Sequence, residues 1–198
     1  MRLTEKYIIG ALLVFFTTSV YASPSYRGLY LGGGVSALNI KGIDHTFNGA
    51  VIKLGYDLTN FLGIEAHGGS TSRRLFSDPG GDNVLGFQFR NAGVYARINF
   101  RSVNSMIYAL AGYSYFKIHE EFTSNVNPAS NWSYDDSLSG LSYGFGAELF
   151  GSTNTSLTAN WIQLIKEKDQ YGYEWNAQTF YIGITHYFNT QKTTYSSF

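Results

Sequence analysis

Along most of the chain, apolar residues recur at every second position. The clearest case is residues 50–69, AVIKLGYDLTNFLGIEAHGG. Ala50, Ile52, Leu54 and Tyr56 share one parity, and Val51, Lys53, Gly55 and Asp57 the other. After a turn at 57–60, Leu62, Ile64, Ala66 and Gly68 alternate with Gly63, Glu65, His67 and Gly69. Side chains of a strand change face at each residue, so the spacing predicts a hairpin with one apolar face.

The same unit recurs. A first strand, 28–38, sets Leu29, Leu31, Val35 and Ala37 against Tyr30, Gly32, Gly34 and Ser36. A fourth, 91–100, sets Ala92, Val94, Ala96, Ile98 and Phe100 against Gly93, Tyr95, Arg97 and Asn99. Upstream of it, Phe87 to Arg90 break the parity, which predicts a bulge or a strand end beyond the membrane. Strand five carries Ile107, Ala109, Ala111, Tyr113 and Tyr115 on the apolar face, and strand six Leu141, Tyr143, Phe145, Ala147 and Leu149. Strand seven (Leu157, Ala159, Trp161) loses its phase after Gln163, and strand eight carries Phe180, Ile182, Ile184, His186 and Phe188. Connections after strands two, four and six are short. Those after one, three, five and seven are long, including a polar loop at 119–137 and the segment TSRRLFSDPGGDNV. The fold expected is all-β: an eight-stranded antiparallel up-and-down transmembrane β-barrel. Short turns at one end and long loops at the other would place both termini on the periplasmic side.

Alternation alone fits equally a soluble barrel with an apolar lumen. The second face separates the two. It holds mostly Gly, Ser, Thr, Asn and Tyr, with Lys53, Asp57, Glu65, Arg97 and Glu148 as its charges. That is too little charge for a wall facing water. As a lumen it is reasonable, because its glycines leave room for Tyr30, Tyr95, Tyr108 and Arg97 in a narrow barrel. Composition agrees: charged residues are 14% and aromatics 17%, against about 25% charged in an average soluble domain. Aromatics of the apolar face sort to the two strand ends, as headgroup girdles require. Beyond residue 22 no apolar run is long enough for a spanning helix of about 20 residues. A net charge of zero gives no reason to expect nucleic acid, and the absence of cysteine excludes disulfides and thiolate chemistry.

Residues 1–22 have the form of a secretory signal peptide: Arg2 and Lys6, then IIGALLVFF, then Val20-Tyr21-Ala22. An uncleaved helical anchor is the alternative, disfavoured by the short apolar core. The domains expected are a signal peptide at 1–22, a barrel at 23–188 and a short tail at 189–198.

With these residues laid out, the chain resembles the small outer-membrane barrel family typified by the OmpA transmembrane domain. GYDLTNFLGIEAHGG is similar to that family's second hairpin, INFRSVNSMIYALAG to its next turn and fifth strand, and YGFGAELF to its sixth strand. YIGITHYF resembles the closing assembly signal, with His186 where an aromatic is usual. The resemblance implies an internal ion-pair network at Glu65, Arg97 and Glu148, proposed in such barrels to plug or gate a narrow pore. The family's strand-seven Arg and strand-one Lys stand here as Thr158 and Gly34, which argues against a gating switch. The cell-wall-binding role of longer family members is not expected, since it belongs to a large domain beyond the barrel.

The candidate site is therefore a lumen ion cluster of Lys53, Glu65, Arg97 and Glu148. It is read either as a static set that satisfies buried charges or as a gate. Arg73, Arg74, Lys166 and Lys168 are the candidates for contact with lipopolysaccharide phosphates, solvated loop charges being the alternative. Trp132, Tyr134, Tyr171, Tyr173 and Trp175 in long loops suit adhesion. The histidines at 45, 67, 119 and 186 lack metal-ligand spacing and are expected to be loop or wall residues. His119 and Ser124 are the pair a lipid-modifying enzyme would need, but IHEEFTSN does not match a deacylase-type motif. No enzyme activity, cofactor or metal is expected. The partners expected are outer-membrane lipids, lipopolysaccharide and surface ligands, with the barrel a monomer. A structural surface barrel with a role in adhesion or resistance to host defence is favoured over a narrow channel or an enzyme.

Overall fold

The computed structural model describes residues 28–43, 45–78, 80–152, 154–168 and 174–188. The expected signal peptide, the tail at 189–198, Tyr171 and Tyr173 lie outside the described residues. The strands are β1 (Gly28–Ile40), β2 (Thr46–Asp57), β3 (Leu62–Thr71), β4 (Arg74–Ser77), β5 (Asn83–Arg101), β6 (Ser105–Ser124), β7 (Trp132–Phe150), β8 (Thr155–Lys168) and β9 (Glu174–Tyr187). Every pairing is antiparallel between neighbouring staves, and β1 pairs with β9 to close the ring. β3 and β4 both pair with β5, so they form one stave interrupted at Ser72 and Arg73. The nine segments thus make an eight-stranded closed barrel, which leaves no free edge in its lower wall.

Alternation decides which face is outside. Val35, Val94 and Leu141 are 72%, 64% and 80% exposed, while Tyr30, Lys53, Arg97 and Glu148 are 0–1% exposed. An apolar outer wall around a buried polar lumen is the arrangement a bilayer selects, since the bilayer offers no partners for polar groups. Tyr56, Phe61, Phe100 and Phe188 ring the end with short turns; Tyr113, Tyr115, Tyr143 and Phe180 ring the other. Trp161 joins the second ring, packed 5.2 Å from Phe145 and 6.0 Å from Tyr143, with its indole N–H donated to Gln178 Oε1 at 2.9 Å. That combination of apolar ring and satisfied N–H suits an interface.

Two local expectations are corrected and one is narrowed. Residues 119–137 are not a loop: β6 runs to Ser124 and β7 starts at Trp132, paired from Phe122↔Trp132 onward, so only 125–131 connects them, through a 3-10 turn at Pro128–Ser130. Of the two alternatives at Phe87–Arg90, the bulge is absent, because β5 pairs with β6 without interruption from Asn83 to Arg101, and these residues belong to the end of β5 that runs on past the aromatic ring. Phe87 and Phe89 point inward there because the lumen itself turns apolar at that depth. Finally, TSRRLFSDPGGDNV contains a strand, β4, and the start of β5. The lost phase after Gln163 has a cause: a β-bulge lies between Gln163 and Ile165.

The bulge divides the wall. β7 pairs with β8 only from Tyr143↔Gln163 down to Phe150↔Ser156, so 132–142 of β7 face no described strand on that side. β5, β6 and β7, at 19, 20 and 19 residues, are each about twice the 9–11 residues that cross a bilayer. They continue past the aromatic ring as a projecting sheet, with β4 on its far side.

Candidate functional site

The lumen is filled in layers. Nearest the short turns, Asp57 accepts from Asn99 Nδ2 at 3.0 Å and forms an ion pair with Arg101, whose Nε donates to the Asn60 carbonyl at 3.2 Å. This pair ties the β2–β3 turn to β5.

The next layer brings together Lys53, Glu65, Arg97 and Glu148. Lys53 Nζ lies 3.0 Å from Glu148 Oε1 and 3.6 Å from Glu65 Oε2. Arg97 bridges the same acids, NH1 to Glu65 Oε2 and NH2 to Glu148 Oε1, each at 3.1 Å. Two cations and two anions form a closed square. The remaining carboxylate capacity is also used: Tyr30 OH donates to Glu65 Oε2 at 2.8 Å, Tyr187 OH to Glu148 Oε2 at 2.8 Å, and Ser156 Oγ to the same oxygen at 2.7 Å. His67 Nε2 sits 2.5 Å from Glu65 Oε1. The Arg97 guanidinium lies over the Tyr108 ring at 3.8 Å, and Lys53 reaches Tyr108 OH at 3.4 Å. Every one of the eight staves therefore contributes a side chain to this layer. Charges removed from water are tolerated only when paired in this way, and here Arg97 Nε is left without an acceptor.

Glycines make the layer possible. A Cβ at Gly55 would collide with the Tyr30 ring, one at Gly146 would meet Tyr108 Cζ at 2.5 Å, and one at Gly93 would meet Tyr95 OH at 2.5 Å. Above lies a belt of hydroxyls, with Tyr95, Ser114 and Ser142 linked at 2.7 and 3.4 Å. Above that the lumen is apolar. Phe47 meets Phe89 edge-on at 4.6 Å, Phe89 stacks on Phe116 at 5.6 Å, and Leu38, Ile40 and Ile118 are buried around them.

Sequence parity places the four ions on one face but not in contact with Tyr30, Tyr187, Ser156 or His67. His67 shares the lumen parity, which is the signal available for it. The other basic candidates do not converge. Arg73 pairs with Glu121 at 2.8 Å, and Arg74 NH1 donates to the Thr46 carbonyl at 2.9 Å. Lys166 is exposed on β8, across the barrel from both, and the side chain of Lys168 lies outside the described residues. His119 and Ser124 are kept apart: His119 points outward to Asp135 at 2.7 Å, while Ser124 Oγ accepts the Asn127 N–H at 3.2 Å. Lys117, 2.9 Å from Asp135, and His119 hold that carboxyl below the ordinary range through their hydrogen bonds. Burial, with the Asp136 charge, raises that of Glu120 on the opposite face of β6. Among the described residues no cluster of His, Cys, Asp and Glu could hold a metal.

Sequence comparison defines the class that this architecture suggests. A family described as outer membrane protein beta-barrel domain matches residues 8–188, and the chain belongs to it. Among solved structures it is similar to Ail, the attachment invasion locus protein of Yersinia pestis, crystallised with the heparin analogue sucrose octasulfate. The identity is 21% over 83% of this chain and 99% of that one, with a TM-score of 0.56. Neisserial surface protein A matches at 14% identity, over 81% and 97% of the two chains, with a TM-score of 0.60. A major outer membrane protein of Thermus thermophilus matches at 14%, over 82% and 100%, with a TM-score of 0.59. A search of curated proteins found no match.

Proposed function

We propose that this protein is a surface barrel that binds an extracellular partner through its projecting β4–β7 sheet, with a sealed lumen. In this reading residues 1–22 are cleaved as a signal peptide, the short turns face the periplasm, and the barrel is a monomer. The observation that carries it is the projection itself. Strands twice the length a bilayer needs hold Trp132 and Tyr134, each 46% exposed, out in the medium. They also present the 132–142 edge of β7, which has no strand beside it among the described residues. A sheet edge and exposed aromatics are both recognition features. That Ail, which shares the fold, was crystallised with a heparin analogue supports a surface ligand. Lys166 and Lys168 are assigned to lipopolysaccharide phosphates; Arg73 and Arg74, held by Glu121 and Thr46, are better suited to bracing the sheet.

A channel loses support from the two successive seals, one ionic and one aromatic. An enzyme loses support from the separation of His119 and Ser124. The test compares cells displaying the whole barrel with cells in which 121–135 is replaced by a short turn. Adhesion to host-cell surfaces should fall to the level of barrel-less cells. Undiminished adhesion, with the shortened barrel present at the surface, would refute the proposal.

A further inference from the structure

On the β3–β5–β6 side of the barrel, the outward face changes character just beyond the aromatic ring. Arg90 and Lys117 are direct cross-strand partners there. Both continue the outward parity of Ala92 and Tyr115, and like charges so placed repel. Lys117 is answered by Asp135, which also takes His119. One step further out, Glu121 is taken by Arg73. Both nearby acids are thus committed away from Arg90, which is exposed and has no acidic partner among the described residues. Ser70, its other cross-strand neighbour, brings a hydroxyl to the same face.

Immediately toward the membrane, the outward positions in register are Ile52, Gly68, Ala92 and Tyr115. A Cβ on Gly68 would meet only Ile52, at 3.8 Å, so the space over it is open. Gly68 and Ala92 floor a shallow furrow between exposed Ile52 and Tyr115. An uncompensated guanidinium stands at its head.

We propose that Arg90, with Lys117 beside it, binds a phosphate of lipid A while one of that lipid's acyl chains lies in the furrow. The depth is that of lipid headgroups, where aromatic rings end. A guanidinium matches phosphate oxygens through two parallel N–H donors, and the anion relieves the repulsion between the two cations. Free phosphate offers the same headgroup chemistry but nothing for the furrow. The inference depends on the barrel spanning the membrane and is independent of what the projecting sheet binds.

The experiment uses the barrel extracted from membranes and reconstituted in phosphatidylcholine vesicles. The probes are bisphosphorylated lipid A, lipid A stripped of both phosphates, and inorganic phosphate. Each variant is first shown to be folded by its heat-modifiable migration. Wild type should retain bisphosphorylated lipid A and discriminate against the stripped form by about tenfold or more, the scale of a charge-assisted contact. Arg90→Gln should lower that discrimination most, Arg90→Lys less, and Lys117→Gln by a smaller part, with whatever Lys166 and Lys168 hold across the barrel common to every variant. Arg74→Gln should leave it unchanged. Equal retention by Arg90→Gln and wild type overturns the site. Displacement of the lipid by millimolar inorganic phosphate overturns the assignment to a lipid.

Discussion

At the scale of single residues, Glu65 governs the lumen because it touches both cations, Tyr30 and His67. Glu65→Gln leaves Lys53 and Arg97 sharing Glu148 alone, one positive charge in excess in a buried layer. Loss of one partner from a buried pair costs about 3–5 kcal/mol, so that loss is expected in urea unfolding from vesicles. Glu65→Gln with Arg97→Met restores neutrality through the Lys53–Glu148 pair and should unfold less readily than Glu65→Gln alone. Strict additivity of the two single losses would show that the contact carries no coupling. Gly55→Val tests the space beside it: the new side chain must expel the Tyr30 ring. A melting temperature equal to wild type would mean that Tyr30 has another place to go.

At the scale of elements, strand length and phase behave differently on the two sides of the aromatic ring. Inside the bilayer the apolar parity of Leu141, Tyr143 and Phe145 is dictated by lipid, and it is plain in the sequence. Outside it, both faces meet water, so Trp132 to Ser139 alternate without an apolar face and read as loop although β6 pairs them throughout. Protease on intact cells should therefore cut within 125–131 and spare 119–124 and 132–137. Rapid cleavage in those flanks would show that the projecting sheet is not formed. The bulge is the second element-scale feature. Deleting Leu164 removes the extra residue, so that Gln163 and Ile165 would follow one another opposite Gln178 and Ala177 and the ladder would run unbroken with its register kept. Ile165, fully buried, should stay inward opposite Ala177, and the β8–β9 end should keep its amide-exchange protection; loss of protection there would show that the bulge itself is needed to hold that end.

At the scale of the whole molecule, the sealed lumen we propose has the ionic and aromatic layers as two seals in series. Planar-bilayer recordings of the wild type should show no ion conductance. Phe89→Ala with Phe116→Ala should remain silent as well, because the ionic square below is untouched. Only when this pair is combined with Glu65→Gln and Arg97→Met should current appear. Steady wild-type current would refute the sealed lumen. Much of the architecture is legible before any coordinates. Parity assigns Lys53, Glu65, Arg97 and Glu148 to one face, since each lies among glycines and hydroxyls. What parity cannot supply is register around a closed ring. Tyr30, Tyr187 and Ser156 resemble any other lumen hydroxyl until β1 meets β9 and β7 meets β8. The aromatic seal is hidden for a related reason: Phe87 and Phe89 on the lumen parity look like a break in the pattern, whereas they are where its polarity reverses.

Where the ring closes, Phe188 N–H donates to the Leu29 carbonyl at 2.8 Å, so the first and last strands finish side by side. Around the finished wall, this seam is one antiparallel junction among eight. The order in which staves follow one another is thus a property of the circle, and the break in the circle is arbitrary. A circular permutant that joins 28 to 188 through a short polar link and opens at 125–131 should refold from urea into the same barrel, with the same ion square. If it fails to do so while the parent chain succeeds, the seam would be needed as a starting point for folding as well as for closure.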